Sequence, residues 1–146
     1  MSGKPKILFL CTGNSCRSQM AEAWTRHLKA DHYEPYSAGV EVRPVDPLAI
    51  SVMAEVGLDI SGQRSKHVDS LKDLEFDYVV TVCDHAREAC PFFPARTRLL
   101  HREFADPPRL AQTARNEEEA MEHYRKVRDE IKAFVEDLEG ILARDR

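Results

Sequence analysis

The chain has no apolar run approaching the length of a membrane span, and its opening residues Met1–Lys6 lack the apolar stretch of a signal peptide. The expected location is therefore the cytoplasm, away from membranes. Cysteine is sparse, with Cys11, Cys16, Cys83 and Cys90 the only four in 146 residues. Structural disulfides are rare in the cytosol, so these thiols need another explanation. The Cys83–Cys90 spacing is too wide for a zinc knuckle, no second pair is available, and the six histidines fall at no ligand spacing. Neither a metal nor a cofactor is expected. A net charge of −4 lacks the basic excess of a nucleic-acid binder. Repeats, low-complexity tracts and interdomain linkers are missing too, so one domain over residues 1–146 is expected. Hydrophobic content of 42% and charged content of 32% fit a soluble globular chain with one core.

What is present alternates between strand and helix patterns. Lys6–Cys11 reads as a buried strand and Arg17–Lys29 as a helix with apolar Met20, Ala21, Trp24 and Leu28. Tyr33–Val40 is a second strand. Asp46 with Pro47 marks a helix start, and Gly57 suits that helix's carboxyl cap. Phe76–Val82 and Thr97–His101 are further strands, with a short helix over Asp84–Ala89 between them that has Asp84 as its N-cap. Ala105–Arg115 reads as a mobile surface loop. The last helix starts near Asn116, where Asn116 and Glu119 resemble a capping box, and carries apolar Ala120, Tyr124, Val127, Ile131, Phe134, Leu138 and Ile141. That spacing could form a coiled-coil seam or pack on the chain's own sheet; the second fits so short a pattern better. The expected fold class is α/β, with a parallel sheet covered on both faces. In such sheets ligands bind at the carboxyl ends of strands, where Cys11 and Cys83 both fall.

The segment Cys11-Thr12-Gly13-Asn14-Ser15-Cys16-Arg17-Ser18 carries the chemistry. A cysteine thiol has a pKa of about 8.5 and needs activation to serve as a nucleophile. The start of a helix offers partial positive charge, Arg17 a fixed cation, and the Ser18 hydroxyl a donor to sulfur. Amides from Thr12 to Arg17 can form a nest for an anion, and Arg17 can hold two oxygens in a planar fork. Gly13 and Asn14 are types that tolerate the positive φ of such a loop. The pattern describes a site for a tetrahedral oxyanion with sulfur at its base; a small buried cysteine at a tight turn is the plain alternative. No Gly-Lys-Ser/Thr ending is present, so ATP or GTP is not implied.

A cysteine followed after five residues by Arg-Ser, near the amino terminus, resembles the low-molecular-weight protein tyrosine phosphatase fold. That resemblance implies a three-layer sandwich around a central four-stranded parallel sheet, with Asp106 of Asp106-Pro107 as general acid. A second set of residues resembles thioredoxin-coupled arsenate reductases. It comprises Cys83 and Cys90 with trailing Pro91, Tyr36-Ser37-Ala38-Gly39, and Val127-Arg128-Asp129-Glu130-Ile131-Lys132. It implies that Cys11 attacks arsenate held by Thr12–Arg17, that Cys83 then attacks Cys11, and that Cys90 attacks Cys83, leaving a disulfide for thioredoxin. Cys16 would be a packing residue. Some members of that family bind potassium through residues matching Asn14, Glu22, Ser37 and the Arg64–Lys66 segment; here a basic side chain is expected in that place. The segment from Arg109 to Glu122 is longer than the family's usual connection to the last helix.

Seven helical positions would separate the Cα atoms of Cys83 and Cys90 by about 10 Å. A disulfide needs roughly 4.4–6.8 Å, so the segment between them is expected to unwind to close the bridge. Two alternatives remain at this stage. A phosphomonoesterase would leave Cys83 and Cys90 idle, and a redox or arsenic sensor would leave Asp106 idle. Thioredoxin is the expected reductant, although another small thiol or a glutaredoxin would satisfy the residues equally. Nothing in the sequence demands more than a monomer.

Overall fold

The computed structural model describes residues 3–144. Lys6–Cys11 forms strand β1, and Ile7, Leu8, Phe9 and Leu10 have no solvent exposure. A strand buried on both faces belongs in the middle of a covered parallel sheet. The sheet order is β2-β1-β3-β4, with β2 at Glu34–Gly39, β3 at Tyr78–Thr81 and β4 at Arg98–His101, and every pairing is parallel. Strand β1 has the bounds the sequence suggests, and β2, β3 and β4 are one to three residues shorter. The direction of winding reverses at β1, since the chain moves one way to β2 and the other way to β3. A reversal of this kind opens a crevice at the carboxyl ends of β1 and β3, and Cys11 sits there.

Helices cover the sheet. Arg17–Leu28 is α1, Pro47–Glu55 is α2, Asp84–Glu88 is α3 and Pro107–Ala111 is α4. Glu117–Glu136 is α5 and Leu138–Arg144 is α6. Helix α1 packs on β1, β2 and α5, and α5 also meets α2 and α4. With right-handed crossovers, the connections running to β3 and β4 return across the opposite face and complete a three-layer sandwich. Asp46 caps α2 as expected, its carboxylate accepting the Leu48 amide at 2.9 Å. Gly57, at φ 83°, closes the same helix. Its amide donates to Ala54, and that of Leu58 to Met53, the paired bonds of a Schellman end.

Three expectations change. Ala105–Arg115 is not a plain loop: α4 begins at Pro107, because proline at the first helical positions loses no hydrogen bond there and has its φ already set. The last helix breaks at Asp137 into α5 and α6. Its amino end is capped by Asn116, which accepts the Glu119 amide at 2.8 Å. The return half of that capping box shifts by one residue, for the Glu119 carboxylate takes the amide and guanidinium of Arg115. The apolar stripe of α5 faces the core, with Tyr124, Val127, Ile131 and Phe134 buried, so no coiled-coil seam is left exposed. Among the described residues, no helix is long and apolar enough to cross a membrane.

Candidate active site

The loop between β1 and α1 is held from outside. The amides of Val40, Glu41, Arg43 and Asp46 donate to the carbonyls of Cys11, Thr12, Gly13 and Ser15 at 2.8 to 3.2 Å. Gln19 Nε2 and Ser65 Oγ donate to Asn14 O at 2.9 and 2.7 Å. With these carbonyls turned away, the loop's own amides and the first turn of α1 are left to the cleft above Cys11, the arrangement that receives anion oxygens. Gly39 allows the close approach: a Cβ there would lie 2.4 Å from Glu41 O, 2.7 Å from Thr12 O and 2.9 Å from Asn14 N, all backbone atoms that cannot step aside.

Asn14 is the loop's turning point, at φ 53° and fully buried. Its side chain accepts the Lys66 amide at 2.9 Å and donates to Ser18 Oγ at 2.8 Å. Ser18 Oγ lies 2.8 Å from Cys11 Sγ, within hydrogen-bond reach, and a Cys11 thiolate there would accept its proton. Arg17 is buried and aimed by Phe104, whose carbonyl accepts from Nη1 at 2.9 Å. Its Nη2 lies 3.7 Å from Asp106 Oδ1. Asp106 occupies the N-cap position of α4, but its carboxyl makes no capping bond and faces the cleft. Cys11, Thr12, Gly13, Ser15, Cys16, Arg17 and Asp106 line one cavity of about 380 Å³.

Cys16 lies in the same cavity, yet its thiol is pushed well above the ordinary range. Burial is the main cause, and the nearby Asp46 carboxylate adds to it. A thiol held protonated in this way is a packing group and a poor nucleophile.

Cys83 stands two residues beyond β3, the strand beside β1, and its Sγ is 3.2 Å from Thr12 Oγ1. Its sulfur also accepts the Ala86 amide at 3.4 Å, so the N-cap of α3 is Cys83, one residue earlier than the sequence suggested. Cys90 lies past the other end of α3 and is half-buried, and burial raises its thiol. All four cysteines are free. The five-residue helix α3 lies between Cys83 and Cys90.

Several contributors carry no signal in the sequence. Phe104 acts through a main-chain carbonyl. Ser65 and Lys66, by contrast, reach Asn14 from the segment that the family resemblance set beside it. Tyr124 on α5 donates to Asp46 Oδ2 at 2.5 Å, linking α5 to the residue whose amide holds Ser15 O. Near Glu22, the buried carboxylate accepts Ser37 Oγ at 2.5 Å and Arg26 Nη2 at 2.6 Å. Lys66, whose ammonium is destabilised by burial and supported by Glu22, donates to Arg64 O at 3.1 Å. The basic groups there are thus Lys66 and Arg26, the latter unforeseen. Among the described residues one trio has donor atoms close enough to share a metal ion, Asp84, His101 and Glu103. In it His101 Nε2 is 3.1 Å from Asp84 Oδ1, a polar contact outside the Cys11 cavity.

A strand, an oxyanion loop rooted on cysteine and a capping arginine, closed by a late Asp-Pro, find counterparts among known proteins. The sequence pattern described as low molecular weight phosphotyrosine protein phosphatase matches residues 6–146. An arsenate reductase of Halalkalibacterium halodurans is 44% identical over 137 residues, covering 91% of this chain and 96% of that protein. A solved arsenate reductase in its oxidized state superposes with a TM-score of 0.72 at 30% identity, covering 97% of this chain and 98% of the other. A thioredoxin-dependent arsenate reductase of Corynebacterium glutamicum superposes with a TM-score of 0.67 at 26% identity, covering 99% of this chain and 65% of that one. The match spans nearly every residue from β1 to the end of the chain, so this protein belongs to the low molecular weight phosphotyrosine protein phosphatase family.

Proposed function

We propose that this chain, as one domain over residues 1–146, reduces arsenate to arsenite through a relay of three thiols and is regenerated by thioredoxin. The observation that carries the reading is Cys83, whose Sγ meets the Thr12 hydroxyl of the Cys11 loop, with Cys90 past the far end of the helix it caps. Hydrolysis of a phosphate ester needs only the first thiol, because water resolves a phosphocysteine. The names of the relatives support the substrate, and the Corynebacterium neighbour supports the reductant.

In this reading the loop amides and the Arg17 fork bind the arsenate oxygens. The Cys11 thiolate displaces one oxygen from arsenic while Asp106 gives its proton to the departing hydroxide, which leaves as water. Cys83 thiolate then attacks the Cys11 sulfur. A disulfide forms, the sulfur–arsenic bond breaks, and its electron pair stays on arsenic, which leaves as arsenite. Cys90 attacks Cys83 in turn, restoring Cys11 and leaving Cys83–Cys90. Closing that bond removes the sulfur that caps α3 and requires the helix to open, which presents the disulfide to the reductant. Phe92, two residues past Cys90 and 93% exposed, gives a protein reductant an apolar contact beside its target. Phosphate and arsenate share shape and charge, so slow hydrolysis of aryl phosphates accompanies the main activity.

The test is arsenate-dependent NADPH oxidation in the presence of thioredoxin and thioredoxin reductase, run beside p-nitrophenyl phosphate hydrolysis on the same sample. Sustained oxidation with feeble hydrolysis is expected. Brisk hydrolysis with no arsenate turnover would assign the chain to phosphomonoester chemistry instead.

A further inference from the structure

The mouth of the Cys11 cavity is built differently from its base. Around it stand Glu41, Arg43, His85, Pro108, Arg109 and Gln112. The chain as a whole carries a net charge of −4. This one cavity nevertheless gathers three arginines, Arg17 at the base and Arg43 and Arg109 at the mouth, against the carboxylates of Glu41 and Asp106. Arg43 is seated by its neighbours. Its amide donates to Gly13 O at 3.0 Å, and its aliphatic stem lies over Gly13, where a Cβ would come within 3.0 to 3.3 Å of it. Its guanidinium donates to Glu41 Oε1 at 2.9 Å. Arg109 follows Asp106 by three residues on α4 and makes no ion pair among the described residues.

Resting on the proposed arsenate chemistry, we infer that Arg43 and Arg109 form a second cationic tier that selects a free inorganic oxyanion over a phosphate monoester. A free tetrahedral dianion sends only its small departing hydroxyl toward the mouth, so both arginines stay solvated there and their charge acts on the anion below. An ester instead sends its organic group out through the mouth. There it meets polar and charged side chains, with Pro108 the one apolar wall. An aryl ring entering that space would desolvate the guanidinium groups and bury little apolar surface in return. Glu41 holds Arg43 in place and leaves its remaining donors for the anion.

The experiment uses the reduced full-length protein with inorganic phosphate, an unreactive probe, titrated by calorimetry. It compares wild type with the double variant Arg43→Met, Arg109→Met, which keeps both stems and removes both charges, and with Arg43→Lys, Arg109→Lys. The double methionine variant is expected to weaken phosphate binding about tenfold and to flatten its salt dependence. The lysine variant should recover most of that loss. The ratio of kcat/KM for p-nitrophenyl phosphate to that for arsenate should rise at least about fivefold in the methionine variant, with the arsenate loss in KM. Phosphate binding within twofold of wild type, no measurable binding by wild type, or an unchanged ratio would each overturn the inference. Failure of wild type to turn over arsenate would sink the arsenate reading, and phosphate affinity would still report on the two arginines.

Discussion

Changing Cys83 to serine is expected to lower steady-state arsenate turnover by at least about 1,000-fold while p-nitrophenyl phosphate hydrolysis stays within a few-fold of wild type. In the proposed relay the two reactions part at this residue. Both begin with Cys11 attacking a tetrahedral centre held by the loop and Arg17. Only the reductive branch then needs a second sulfur to take the Cys11–arsenic adduct apart, and a hydroxyl cannot replace a thiolate in attack on sulfur. The substitution is also mild for the fold. Serine is a preferred N-cap and can accept the Ala86 amide that now meets Cys83 Sγ at 3.4 Å. It can likewise keep the contact with Thr12 Oγ1. Parallel steady-state assays with a thermal melt check the prediction. Equal loss of both activities with an unchanged melt would remove the division of labour between Cys11 and Cys83.

Arg17→Lys should act on the other side of that division and depress both reactions. Arg17 is buried, gives one nitrogen to Phe104 O and turns another toward Asp106. The rest of its fork is thereby aimed at the space above Cys11. Lysine keeps the charge but has a single nitrogen, which cannot satisfy the Phe104 carbonyl and grip two anion oxygens together. Loss of a preorganised donor of this kind costs about 100- to 1,000-fold in kcat/KM, or roughly 2.7–4 kcal/mol of transition-state stabilisation. Leaving the Phe104 carbonyl unpaired adds about 1–3 kcal/mol of lost stability, read as a lower melting temperature. A reduction below about fivefold in both activities would mean that the loop amides alone carry the anion.

These expectations draw on different depths of the sequence. The Cys11 loop was legible because its chemistry is local: strand, glycine-bearing turn, arginine and helix start follow one another in the chain. Neighbouring strands were enough to bring Cys83 to the loop, since the strand before it pairs directly with β1. The start and end of α2 were legible for the same local reason, an Asp-Pro cap and a glycine at positive φ. What escaped was carried by atoms that sequence reading does not weigh. A main-chain carbonyl of Phe104 sets the pose of Arg17, and the Tyr124 hydroxyl on α5 braces Asp46. Helix α4 was hidden by its own prolines, which mark loops in general and helix starts in particular. The break at Asp137 was hidden because the apolar stripe continues across it, with Leu138 buried in the same core as Phe134. Periodicity registers which face is buried and does not register whether the backbone stays helical.

The most direct test of the relay is a single turnover by the Cys90→Ser variant. Reduced protein is mixed with excess arsenate, arsenite is quantified, and the disulfides are mapped by peptide mass spectrometry. The relay predicts one arsenite per polypeptide, then arrest, with Cys11 joined to Cys83. Continued turnover, or a product in which Cys11 is joined to Cys16 or remains a free thiol, would contradict it.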